Sequence, residues 1–216
     1  LARICVHRRA GSDDEAVVGL YEDGTRDSLS WTEFSRQVTQ LAEALVALGV
    51  RERDRVAIYM PMCPAVAVAS HACAHIGAVQ VPIFSGFAGP AIASRLEDSL
   101  AKVVICADWS LRRGKRIEMS ETLIEAGQFG VQHVLEWNRE TRSWPEFVRN
   151  QPGVLPPVEV DSEAPYLLAY TSGTTGRPKG ALHVQGGFLV SIAREVAYQT
   201  NVSAGDRIHF ATDMGW

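Results

Sequence analysis

The chain has 216 residues, a formal net charge of −4, and 46% hydrophobic and 21% charged residues. That size and balance suit one large or two small globular domains with a sizeable core, which excludes a disordered chain. The mild negative charge argues against a nucleic-acid or membrane-surface partner. The most apolar stretch, 61–84, is broken by Ser70, His71, His75 and Gly77 and is too interrupted to span a bilayer.

Residues 17–21 read as a strand and Asp23-Gly24 as a hairpin turn. Ser30-Trp31-Thr32-Glu33 has the spacing of a capping box. It opens a helix whose apolar residues Phe34, Val38, Leu41, Leu45 and Leu48 recur at helical steps, with Gly49 as its stop. Residues 55–59 follow as a strand. Pro64 starts an alanine-rich helix over 65–76 that Gly77 stops. The pattern then predicts a strand at 78–82, a helix over 88–100 with Pro90 in its first turn, and a strand at 102–106. A helix at 120–126, a strand at 132–135 and a short helix at 143–149 come next.

This alternation predicts an α/β fold: a mostly parallel sheet with helices on both faces, built as a βαβ series. Residues 1–150 would form one α/β subdomain. Residues 151–165, with four prolines and three acids, read as a linker. Residues 166–216 would open a second subdomain with a loop flanked by two strands, a helix over 188–198, a turn at 203–206 and a strand at 207–211.

Cys5, Cys63, Cys73 and Cys106 are dispersed without a C-x-x-C pair, as buried or free thiols of a reducing cytoplasm rather than a disulfide or zinc framework. The chain begins without Met and stops at Trp216 directly after an apolar run. It is therefore expected to be a fragment of a longer polypeptide.

The most informative stretch is Tyr170-Thr171-Ser172-Gly173-Thr174-Thr175-Gly176-Arg177-Pro178-Lys179-Gly180. Turn-forming Gly, Ser, Thr and Pro residues cannot build a core. They let backbone N–H groups converge as an anion-binding nest, with hydroxyl donors and two cations added. The stretch is no Walker A loop: Gly173 and Gly176 are three apart, Pro178 precedes the Lys, and a strand rather than a helix follows. It predicts a polyphosphate site of another kind.

Three other stretches carry two readings each. His71 and His75, four apart on a helix, have metal-ligand spacing but no H-E-x-x-H pattern, and they read as packed histidines. Phe84-Ser85-Gly86-Phe87 follows a strand end, where ligands of parallel sheets bind; spacing alone reads first as two core aromatics flanking a turn. Residues 108–116 include Arg112, Arg113, Lys115 and Arg116, which suit a phosphate grip and a solvated loop equally.

The eleven-residue stretch resembles the phosphate-binding signature of the AMP-forming adenylating enzymes, the superfamily of acyl-CoA synthetases, luciferases and nonribosomal peptide adenylation domains. Within it, residues 56–62, 72–79, 182–187 and 211–216 are similar to acetyl-CoA synthetase and related short- and medium-chain acyl-CoA synthetases. The resemblance implies an AMP-forming ligase that uses ATP, Mg²⁺, CoA and a small carboxylic acid. It assigns Thr171, Ser172, Gly173, Thr174, Thr175 and Gly176 to the ATP phosphates and Lys179 to catalysis.

By the same resemblance Phe84, Ser85 and Gly86 form the turn that packs on the CoA nucleotide, and Arg112 and Lys115 grip a CoA phosphate. Ser85 stands where that family usually has Gly, and Lys115 where it has Arg. Trp216 would line the acyl pocket or else be a core aromatic. The family's adenine-binding segment, ribose-binding Asp and C-terminal lid have no match among these residues, so the chain alone is not expected to turn over. A non-catalytic phosphate-binding protein, or an adenylation domain with an acceptor other than CoA, are the alternatives.

Overall fold

The structure is a computed structural model that describes residues 1–127, 129–171 and 178–215. In chain order it runs α1 (Ala2–Cys5), a 3-10 turn (His7–Arg9), β1 (Glu15–Leu20), β2 (Arg26–Ser30) and α2 (Trp31–Ala47). There follow β3 (Arg55–Tyr59), α3 (Pro64–His75), β4 (Val79–Pro82), α4 (Gly89–Ser99) and β5 (Val103–Ala107). Next are β6 (Trp109–Arg112), β7 (Lys115–Glu118), α5 (Met119–Ala126), β8 (His133–Trp137) and α6 (Glu146–Arg149). The last elements are β9 (Pro165–Thr171), β10 (Lys179–Val184) and α7 (Gln185–Tyr198).

The central sheet has the order β10-β9-β4-β3-β5-β8, parallel throughout except for the antiparallel β9–β10 pair. Every residue of β4 and β5 and four of five in β3 are buried. That explains their continuous apolar runs: strands covered on both faces have no polar side to alternate with. The α2–α3 pair packs on one face and the α4–α5 pair on the other, so the expected α/β class is observed.

Local signals worked where they were stereochemical. Ser30 Oγ accepts the Glu33 amide at 3.2 Å, capping α2. The reciprocal half of the box is absent, because the Glu33 carboxylate bonds Arg36 and Gln37 instead. At the other end Gly49 has φ 81°, with Val50 N–H to Leu45 O at 3.0 Å and Gly49 N–H to Val46 O at 2.9 Å. This is a Schellman motif, which only a residue at positive φ closes without strain.

Two expectations need correction. Residues 109–118 are not a loop but the β6–β7 hairpin, turned at Arg113 and Gly114 with φ of 50° and 71°. Residues 207–211 form no strand: Ile208 and Phe210 are exposed, and no neighbouring strand pairs with them among the described residues. Residues 151–165, read above as a linker, pack against the helices they cross. The Glu43 carboxylate on α2 accepts the amides of Gly153, Val154 and Leu155 at 2.6–2.8 Å. His75 Nε2 meets Leu155 O at 2.8 Å, and Val158 N–H bonds His75 O at 2.9 Å, so this strap is sealed onto α2 and α3. It delivers the chain to β9, which joins the same sheet beside β4.

His71 and His75 are packing residues. His71 sits edge-on to Phe34, ring centroids 5.6 Å apart. His75 is fully buried and bonds His7 at 3.0 Å, which in turn meets Ser35 Oγ at 2.8 Å. All four cysteines are free, and burial pushes the thiols of Cys63, Cys73 and Cys106 up to about 12.

Candidate functional site

The connection from β3 leads to β4 on one side, and that from β5 leads to β8 on the other. The carboxyl ends of β3 and β5 therefore flank a topological switch point, where open α/β sheets hold ligands. A cleft of about 560 Å³ opens there. Its walls come from Pro61 and Met62 beyond β3, Phe84 and Ser85 beyond β4, and Arg112 on the β6–β7 hairpin.

Phe84, Ser85, Gly86 and Arg112 meet in this cleft. The Arg112 Cζ lies 4.5 Å above the Phe84 ring centroid. Gly86 lies beneath the guanidinium: a Cβ there would come within 1.6 Å of Arg112 Nη1 and 2.9 Å of Phe84 Cε1. The bare backbone is what leaves room for the cation over the ring. Phe84 and Phe87 are half-buried and meet edge to face at 5.2 Å, so both aromatics pack at the turn and one also faces the cleft.

Lys115 pairs with Arg112 across the two-residue turn, and directly opposed residues share one face of a hairpin. It is exposed and does not line the cleft. The turn is held from outside. Glu22 accepts the Arg113 amide at 2.9 Å and the Gly114 amide at 3.0 Å, and these two bonds hold its carboxyl below the usual carboxylate range.

The far wall is the chain segment 209–213. Asp213 ties it to the turn, accepting the Ser85 hydroxyl at 2.5 Å and, at its other oxygen, the Gly215 amide at 2.9 Å. Arg139, nearly buried, closes the floor between Tyr21 and Trp109, its Cζ 4.5 and 4.8 Å from their ring centroids. Burial pushes the Tyr21 phenol well above its ordinary range.

The second cluster lies at the mouth of the β9–β10 hairpin. Thr171 and Lys179 are direct partners in the antiparallel ladder, and both are exposed. Their pairing closes the open end of the β9–β10 ladder. Ser172, Gly173, Thr174, Thr175 and Gly176, and Trp216, lie outside the described residues.

Glu22, Arg139 and Asp213 were not legible as site residues, since each reaches the cleft through contacts made far along the chain. The Asp213 bond to Ser85 spans 128 positions. Only the strand-end rule, applied to every strand at once, would have pointed to Asp108–Arg112 and Pro61 together.

A family model described as AMP-binding enzyme matches residues 6–216. The acetyl-coenzyme A synthetase of Cronobacter sakazakii is 39% identical over 234 residues, covering 100% of this chain and 36% of that protein. Acetyl-coenzyme A synthetase 2 of Eremothecium gossypii is 39% identical over 228 residues, covering 98% of this chain and 33% of its own. Among solved structures, an acetoacetyl-CoA synthetase from Streptomyces lividans superposes with a TM-score of 0.88 at 28% identity, over 100% of this chain and 35% of that one. The chain thus spans about a third of the length of the relatives it matches. Its sequence and its fold agree, and the chain belongs to the AMP-binding enzyme family.

Proposed function

We propose that this chain is the ATP- and CoA-binding portion of an acyl-CoA synthetase, which joins a short- or medium-chain carboxylic acid to CoA through an acyl-adenylate. One observation carries the CoA half: the Arg112 guanidinium stacked on Phe84 above Gly86, in a cleft at the carboxyl edge of the sheet. A cation held over an aromatic ring, with no side chain at the neighbouring Gly86, suits a nucleotide bearing phosphates. We read this as a CoA site: Phe84 to Gly86 carry the nucleotide, and Arg112 in the cleft, with Lys115 opposite it on the hairpin, holds its phosphate.

In the first half-reaction a carboxylate oxygen attacks the α-phosphorus of ATP and pyrophosphate departs. Lys179, with Thr171 and residues 172–176 of the loop, neutralises charge on the departing β- and γ-phosphates. Such chemistry depends mainly on positioning and on groups placed where charge develops. In the second half-reaction the CoA thiol sulfur bonds the acyl carbon and AMP leaves. Mg²⁺ binds chiefly through phosphate oxygens and water. Among the described residues no cluster of three or more His, Cys, Asp or Glu side chains offers it a protein cage.

Residues 166–216 are proposed to open a further subdomain. Leu182, Val190, Tyr198 and Phe210 are 57–85% exposed, an apolar surface that further polypeptide of the same protein would cover. Free, buried cysteines support a reducing cytoplasm. No described helix is long and apolar enough to cross a membrane. Trp216 is proposed to line the acyl pocket, beside the Gly215 backbone that packs on Phe84.

The test is carboxylate-dependent ATP–pyrophosphate exchange by the complete gene product, across acids of increasing length, with these 216 residues alongside. Exchange with one acid, followed by thioester formation on adding CoA, is the expected result, with the 216-residue chain silent. Exchange without thioester formation would favour an acceptor other than CoA. No exchange with any acid would favour non-catalytic phosphate binding.

A further inference from the structure

The cleft turn follows β4 and the phosphate hairpin begins at the end of β9, and these strands are neighbours in the sheet. One side chain of α4 touches both. Arg95 is only 8% exposed, and among the described residues no carboxylate pairs with it. A buried guanidinium without an acid is costly to keep, so its contacts need a reason.

Those contacts form a continuous series. Arg95 Nη1 donates to Ala91 O at 2.7 Å, one turn back on α4. Its Cζ lies 4.1 Å from the Phe87 ring centroid and 5.8 Å from that of Tyr170. Phe87 meets Phe84 edge to face, and Phe84 carries Arg112. On the other side the Tyr170 hydroxyl donates to Asp98 at 2.6 Å, and Asp98 stands three residues beyond Arg95 on the same helix. The series Arg112–Phe84–Phe87–Arg95–Tyr170–Asp98 runs from the cation shelf of the cleft to the last strand turn before the phosphate loop.

We infer that Arg95 is a positioning residue that fixes the CoA-side turn and the base of the phosphate loop relative to each other. The inference rests on the acyl-CoA synthetase reading above. That chemistry needs such a tie, because the thiol presented from one site must reach an acyl carbon activated at the other. A displacement of about 1 Å between reacting groups is costly in rate. Arg suits the place: its cation lies within reach of both rings, and a lysine ammonium lacks the planar, weakly hydrated head that packs on aromatic rings. Tyr170 is doubly held, by ring contact and by Asp98, so the strand cannot shift without breaking both.

The test uses Arg95→Met in the complete gene product. Methionine keeps an unbranched stem between the rings and removes the guanidinium. The KM for ATP in pyrophosphate exchange and the KM for CoA in thioester formation should rise together, each by about tenfold. Arg95→Lys, which keeps the charge without the plane, should raise both as well, and it carries the test should Arg95→Met fail to accumulate. A rise in only one constant, or a lowered melting temperature with both constants unchanged, overturns the tie. Arg112→Ala is run in parallel. If it raises the KM for CoA while the Arg95 variants move neither constant, the CoA reading stands and the tie fails. If it leaves the KM for CoA unchanged, the reading fails and takes the tie with it.

Discussion

The Ser85 hydroxyl donates to Asp213 Oδ2 at 2.5 Å, and the Ser85 amide reaches the same oxygen at 3.3 Å. The Ser85 side chain, at the cleft wall, is therefore a tether. Asp213 Oδ1 also accepts the Gly215 amide, so one carboxylate joins the turn after β4 to the segment that walls the cleft. Ser85→Ala keeps the Cβ and deletes the hydroxyl bond. A hydrogen bond to a charged acceptor contributes about 1.5–3 kcal/mol, and partial exposure places this one near the low end. Urea unfolding of the complete gene product should show a loss of about 1 kcal/mol, with a raised KM for CoA. An unchanged midpoint and KM would mean that segment 209–213 is seated by other contacts.

Gly86 is where a single methyl group would disturb the cation on Phe84 directly. The nearest atoms to an added Cβ are the Arg112 Nη1 at 1.6 Å, its Cζ at 2.8 Å and Phe84 Cε1 at 2.9 Å. The flexible guanidinium can swing away, so Gly86→Ala should fold. It should do so by unstacking Arg112 from Phe84. The expected outcome is a several-fold higher KM for CoA with pyrophosphate exchange unaltered. A matching loss of exchange would place Gly86 in the adenylation site instead.

Glu22 acts on the hairpin that carries Arg112. By accepting both turn amides it holds Arg113 and Gly114 in the left-handed region, where a non-glycine residue such as Arg113 is disfavoured. A lone two-stranded hairpin is marginal in water. Glu22→Ala should loosen the β6–β7 tip, raising the KM for CoA and increasing protease cleavage near residue 113. Intact protease resistance with a normal KM would show that the hairpin holds itself.

The fold was legible because its signals are local. Continuous apolar strands, the Pro64 start and the Gly49 stop each follow from a backbone or burial rule that neighbours cannot easily override. The β6–β7 hairpin was not, since Arg113-Gly114 lacks the usual Asn-Gly pair and its turn is stabilised from Glu22, 91 residues away. Residues 207–211 have strand composition without a strand partner, so propensity pointed to an element that only pairing could create. Of the site, the phosphate hairpin and the Phe84–Gly86 turn could be read from composition and family likeness. The ring-and-cation series through Arg95 could not, because helical spacing marks Arg95 only as one position on α4 and says nothing of the rings it meets.

Lys179 opens β10 directly across from Thr171, so its backbone position is fixed by the ladder. Removing a group that meets developing charge typically costs about 3 kcal/mol or more. Lys179→Ala in the complete gene product should therefore slow adenylate formation by roughly 10²–10³. The KM for CoA, measured with preformed acyl-adenylate, should not move. An unchanged pyrophosphate-exchange rate would assign the role to another cation.

His71 makes stability depend on acid. Part of the ring reaches the surface, but Nδ1 is sealed with no hydrogen-bond partner among the described residues. Burial, with a smaller contribution from the N-terminus and His7, lowers its pKa to about 4. In the unfolded chain the ring takes a proton near its ordinary value of 6.5. Between those values the unfolded state binds more protons, so the contribution to stability is whole above pH 6.5 and is lost as the pH falls toward 4. The partly exposed edge reduces the effect to about 1–2 kcal/mol between pH 7 and pH 5. His7 and His75, also lowered by burial, add in the same direction. His71→Leu removes the titrating nitrogen and keeps an apolar contact for Phe34. Its urea midpoint should fall less steeply between pH 7 and pH 5 than that of the unaltered protein. Parallel slopes would show that the His71 ring is solvated in the folded state.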